Sequence, residues 1–144
     1  MNWGILGYGK IAPVFIESLN QLSTEKIVAA ATRSGAERVK SELPGVKVYT
    51  NYEELYKDPE VDIIYISTTH NFHAEQSIRA LENGKHVLCE KPIGTTLSET
   101  SAIIKAAQES GKFFMEALWT RFLPAYKKFK SIRRGQRDIK RNQS

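Results

Sequence analysis

The residues with the most chemistry to offer stand in short clusters, each just after an apolar run. Gly7-x-Gly9-x-x-Ala12 follows Trp3 to Leu6, the spacing of a strand that turns sharply into a helix beneath a dinucleotide pyrophosphate. Glycines allow the turn and a close backbone approach. The amides of Lys10, Ile11 and Ala12 then open a helix whose dipole favours a phosphate. A ligand-free strand-to-helix turn has the same spacing, so the motif needs support from the rest of the chain.

Thr32-Arg33-Ser34 supplies some of it. The cluster follows Lys26 to Ala31, about 20 residues beyond the glycines, where a site that selects NAD sets an Asp or Glu on the ribose hydroxyls. Here the position is basic. Arg33, with Ser34 and Arg38, suits the 2′-phosphate of NADP, because a guanidinium pairs with phosphate oxygens in a fork. A surface arginine beside a helix cap is the competing reading.

Three further clusters follow apolar runs: Ser67 to His73, Glu90-Lys91-Pro92, and Glu116 to Phe122 with Trp119 and Arg121. Lys91 suits relaying a proton or stabilising an alkoxide during hydride transfer. Without other support, a lysine before proline is a surface turn. His73 either orients substrate or Lys91, or is a capped structural residue. Thr68 and His70 are assigned beside the cofactor and His86 to structure. Trp119 forms an apolar wall over nicotinamide or substrate, with Arg121 fixing a polar group; core packing competes for Trp119. Glu90 belongs to the cofactor loops, although it and Glu116 also suit loop anchoring. His70 and His73 lack a supporting carboxylate motif, so no metal site is assigned.

These clusters need a scaffold that gathers them. Strands are expected at Trp3–Leu6, Lys26–Ala31, Val46–Tyr49, Val61–Ile66, His86–Cys89 and Phe113–Met115, alternating with helices. The first helix spans Lys10 to Leu22. Ser34-x-x-Glu37 and Thr96-x-x-Glu99 read as capping boxes, and Asn51 as another cap. Asn83-Gly84 and Gly111 end helices. Short connections and two-sided burial require parallel strands with right-handed crossovers, an α/β doubly wound sheet of order 3-2-1-4-5-6. Every cluster then lies along one edge of the sheet. A last helix after Pro124 carries an apolar stripe, Phe122, Tyr126, Phe129 and Ile132, with something to pack on; its pattern fails after Arg133.

At 144 residues, 41% hydrophobic and 26% charged, the chain has the size and composition of one globular domain. No apolar run reaches the length of a membrane span, no signal peptide leads the chain, and Cys89 has no cysteine partner, so a cytoplasmic home is expected. Net charge is divided unevenly. From Arg121 onward nine Lys or Arg face Asp138 alone, giving +8 against −3 for residues 1–120. The tail lacks the interleaved aromatics of a nucleic-acid module, and its expected state is a solvated or unfinished segment.

W-G-I-L-G-Y-G-K-I-A, G-K-H-V-L-C-E-K-P and M-E-A-L-W-T-R-F-L-P together resemble the glucose-fructose oxidoreductase and inositol dehydrogenase family, in its dihydrodiol and D-xylose dehydrogenase-like branch. The resemblance covers about residues 1–132. It implies a Rossmann fold in which Gly7, Gly9 and Ala12 hold the cofactor, Lys91 is the catalytic lysine, and His73 matches a recurrent histidine. Trp119 and Arg121 then flank the nicotinamide. The branch oxidises sugars or cyclic diols with NADP, in agreement with Arg33, and NAD is the lesser expectation. Residues 1–121 form the NADP-binding domain and 122–144 a connecting helix with a basic, truncated tail.

Family members continue into an α+β domain that supplies much of the substrate pocket and usually the subunit interface. That domain is absent from the 144 residues, and Arg137 replaces the usual glycine at its entry. A truncated chain or an early stop in the reading frame accounts for both. A homo-oligomer is expected only with that second domain. The rival reading is a non-catalytic nucleotide-sensing Rossmann module with a basic partner-binding tail.

Overall fold

The computed structural model describes residues 1–141, with side chains through Ile132; Asn142 to Ser144, the end of the expected basic tail, lie outside the described residues. Six strands form one parallel sheet of order β3-β2-β1-β4-β5-β6. They are β1 (Asn2–Leu6), β2 (Lys26–Ala31), β3 (Lys47–Tyr49), β4 (Ile63–Ile66), β5 (His86–Cys89) and β6 (Phe114–Glu116). Between and after them run α1 (Ile11–Leu19), α2 (Ala36–Glu42), α3 (Tyr52–Lys57), α4 (His73–Glu82), α5 (Leu97–Ser110) and α6 (Pro124–Arg141).

The central strands are buried on both faces, as their unbroken apolar runs require. On one side Leu6, Ile64, Ile66, Val87 and Cys89 meet residues of α3, α4 and α5, including Leu55, Leu81 and Ile103. On the other, Ile5, Ile63 and Tyr65 meet α1, where the Phe15 ring stacks on Tyr65 at 3.8 Å between centroids. The Cys89 thiol is buried, which pushes its pKa up to about 12 and makes it a packing group with little thiolate character.

Four local expectations are corrected. The first helix ends at Leu19, because the Asn20 amide closes on the Ile16 carbonyl and Leu22 is exposed. Ser34 does not cap α2. The chain turns left-handed at Gly35 (φ 78°), α2 starts at Ala36 without a side-chain cap, and Glu37 pairs with Lys40 instead. The last helix does not stop after Arg133 but continues to Arg141. Its stripe also finds no partner among the described residues: Phe122, Tyr126, Phe129 and Ile132 are all exposed. The Thr96 and Glu99 capping box is complete in both directions.

The candidate dinucleotide site

The glycine turn is pinned from both sides. The Gly7 amide donates to the Ala31 carbonyl at the end of β2, and the Ser67 hydroxyl donates to the Gly7 carbonyl from the end of β4. Gly7 has φ 86°, and a Cβ there would lie 2.7 Å from Thr68 Cγ2 and 3.0 Å from the Thr68 amide nitrogen. Only glycine fits. At Gly9 the nearest atom to such a Cβ is the Ser67 carbonyl oxygen at 3.8 Å, which leaves room above the turn.

Helix α1 then begins without a side-chain cap on its amides and without an acidic residue in its first turn. Three donors, the amides of Lys10, Ile11 and Ala12 ahead of Pro13, and the positive end of the helix dipole therefore face the turn unopposed. That arrangement fits a pyrophosphate in both space and charge.

Beyond the turn lies a crevice of about 430 Å³, lined by Ile11, Ser67, Thr68, Thr69, His70, His73, Glu90, Lys91 and Trp119. Lys91, His70 and Arg121 are exposed and enter no ion pair among the described residues. Ile11, Glu90 and Trp119 also border a second, apolar cavity of about 360 Å³ with Phe15, Leu88 and Met115 among its walls. Trp119, 63% exposed, stands where the polar crevice and the apolar cavity meet, and it is not a core residue among the described residues.

His73 differs from the exposed groups around it. It is 2% exposed, its Nδ1 lies 2.8 Å from the Pro92 carbonyl oxygen and its Nε2 lies 3.1 Å from that of Thr68. Each ring nitrogen faces a backbone carbonyl, and the one that carries the proton donates to it, so the buried ring sits between the loop after β4 and the loop carrying Lys91. Glu90 holds the same loop from below by accepting the Tyr65 hydroxyl at 2.7 Å, and Glu116 accepts the Ile93 amide. Burial, then the bond to Glu90, keeps the Tyr65 hydroxyl well above its ordinary pKa, so it remains a donor.

At the other end of the turn, the Arg33 guanidinium lies over the rings of Tyr52 (5.3 Å) and Phe72 (5.1 Å). A further depression of about 400 Å³ opens beside it, lined by Arg33, Asn51, Tyr52, Phe72 and Gln76 among others. The Ser34 amide is turned inward to the Thr32 hydroxyl, 3.4 Å away. Arg38 reaches back over Tyr8, the residue between the two glycines, at 5.4 Å from its ring. It is also paired with Glu42 at 2.7 Å.

Spacing alone did not single out Tyr8, Glu42, Tyr52, Phe72 or Gln76. Tyr8 lies inside the glycine motif, Phe72 inside the Ser67 to His73 cluster, and Glu42 four residues after Arg38 on α2. Tyr52 on α3 and Gln76 on α4 reach the site through contacts that leave no periodic trace.

The oxidoreductase family model with the NAD-binding Rossmann fold matches residues 1–118. The trans-1,2-dihydrobenzene-1,2-diol dehydrogenase of Bos taurus is 40% identical over 136 residues, covering 92% of this chain and 41% of the relative. A probable dehydrogenase from Thermotoga maritima superposes with a TM-score of 0.87 at 26% identity, over 94% of this chain and 41% of its own. A 3-ketoreductase from Actinomadura kijaniata, solved with TDP-benzene and NADP, gives 0.84 at 27% identity, over 92% of this chain and 41% of its own. The chain thus spans 41% of the length of each of these proteins. With the matched residues running through the glycine turn, the Glu-Lys-Pro loop and β6, the chain belongs to the glucose-fructose oxidoreductase and inositol dehydrogenase family of oxidoreductases, with its NAD-binding Rossmann fold.

Proposed function

We propose that this chain is the cofactor-binding domain of an NADP-dependent dehydrogenase that moves a hydride between NADP and a sugar or cyclic diol hydroxyl. One observation carries the reading. An uncapped, acid-free helix end, two arginines and an unpaired lysine all stand along one sheet edge. The relatives' diol specificity supports the substrate class.

In this reading residues 1–121 are the nucleotide-binding unit and 122–144 a connecting helix and basic tail, in a cytoplasmic protein. The amides of Lys10, Ile11 and Ala12 hold the pyrophosphate. Arg33 and Arg38, beside Ser34, receive the 2′-phosphate, while Thr68, His70 and Glu90 border the path to the reacting end. Trp119 shields that end from water, and Arg121 fixes a polar group there. Bound NADP supplies the hydride acceptor. Lys91, whose ammonium has no partner among the described residues, hydrogen-bonds the substrate oxygen and moves its proton. His73 serves as a positioning residue, because its ring is buried between the carbonyls of Thr68 and Pro92. Nucleotide binding is the activity assigned to this chain, and turnover belongs to a protein of the relatives' full length.

Titration of the chain with NADPH and NADH, followed by tryptophan fluorescence, tests this reading. Saturable binding with NADPH about tenfold tighter is expected, the gain of a charge-assisted fork on the 2′-phosphate. Equal affinities would remove the NADP assignment, and no binding would remove the site.

A further inference from the structure

Arg38 is committed before any ligand arrives. Its Nε donates to Glu42 Oε1 at 2.7 Å, one helical turn further along α2, while its guanidinium lies over the Tyr8 ring. The Tyr8 hydroxyl donates to the other Glu42 oxygen, Oε2, at 2.8 Å. Glu42 therefore receives both neighbours at once, one oxygen each. The bonds to Arg38 and then Tyr8 hold its carboxyl below the ordinary value, and Arg38 is held more firmly protonated in return. Burial and the bond to Glu42 push the Tyr8 hydroxyl up to about 12, so it donates throughout the neutral range. Lys40 pairs with Glu37, leaving Arg38 and Glu42 to each other on this face of α2.

From this triad we infer that Glu42 is a specificity-determining residue that holds down the preference for a 2′-phosphate by occupying Arg38. The inference rests on the proposed dinucleotide site. A 2′-phosphate carries a charge of about −1.5 to −2 at neutral pH, against −1 for Glu42, and has three acceptor oxygens. It either takes Nε from the carboxylate or is held by the two Nη groups with the Glu42 charge still beside it, and in both cases Glu42 opposes it. A dinucleotide without that phosphate leaves the triad intact. Glu42 thus penalises one cofactor and not the other. The Arg38 and Glu42 side chains are about half exposed, so the penalty is modest and salt-dependent.

Calorimetric titration of the wild-type chain, Glu42→Gln and Arg38→Ala, and of the double variant, with 2′,5′-ADP and with ADP tests this without needing turnover. Glu42→Gln keeps the size of the side chain and removes its charge. It is expected to raise the preference for 2′,5′-ADP over ADP about fivefold, within the reach of one exposed charge on another. In the Arg38→Ala background the same substitution is expected to give less than half that gain. An unchanged or reduced preference in Glu42→Gln overturns the inference. So does an undiminished gain without Arg38, since Glu42 would then act directly on the ligand. Wild-type chain that binds neither compound fails the dinucleotide site itself and takes this inference with it, whereas binding of both with no response to Glu42→Gln fails this inference alone.

Discussion

Lys85 and Lys91 flank the same strand, β5, on opposite edges of the sheet. Lys85 is 8% exposed and donates to the Asp58 and Val61 carbonyls at 2.6 and 2.8 Å. Burial pulls its pKa down, and Asp58 and Asp62 oppose that pull. Around it the Asp58 carboxylate is closed off by Lys47, the Tyr49 hydroxyl and the Glu60 amide, and the Asn2 amide donates to Asp62. Lys91 is exposed, and its ammonium has no partner among the described residues. One edge spends its charges on holding the chain together. The other leaves Lys91, His70 and Arg121 exposed and without an ion-pair partner among the described residues, the arrangement expected of a site rather than a seam.

The contrast is broken most severely at Lys85. Lys85→Ala is expected to cost about 3 kcal/mol, since two buried carbonyls lose their donor, while nucleotide affinity stays the same. Lys91→Ala is expected to change stability by less than about 0.5 kcal/mol. Denaturant unfolding of the two variants side by side checks the pair, and equal losses would erase the distinction between the edges.

Gly7→Ala comes next, at about 2 kcal/mol, because alanine must hold a left-handed backbone and press on Thr68. Unlike Lys85→Ala, it also shifts the helix end that receives phosphate, so NADPH affinity is expected to fall more than tenfold, about 1.4 kcal/mol. Unfolding and fluorescence titration of the same sample separate the two effects. Lost stability with intact affinity would detach the turn from the site.

Much of this division was legible in the chain itself. Apolar runs alternating with helices dictate the strand order, and Gly7, Arg33, Lys91 and Trp119 fall on one edge once that order is known. What stayed hidden depends on contacts between distant residues. Lys85 looks like any lysine after a glycine until the connection between α3 and β4 supplies its two carbonyls. His73 looks free for chemistry until Pro92 and Thr68 close on its ring. Arg38 reads as a phosphate ligand; its i,i+4 spacing to Glu42 is the one trace of that pairing in the chain, and the reach of Tyr8 to the same carboxylate leaves none. The Ser34 cap failed for a local reason, because Gly35 takes the left-handed turn in its place.

Nitrogen-15 amide shift mapping of the chain titrated with NADPH bears most directly on the central claim that the carboxyl edge is the nucleotide site. The account predicts the largest shifts at the amides of Gly7, Gly9, Lys10, Ile11 and Ala12, with smaller ones at Thr68, Thr69 and the Trp119 indole, and none at Asn2, Asp62 or Lys85. Shifts concentrated at those amino-edge residues, or no shift at the glycine turn under saturating NADPH, would contradict it.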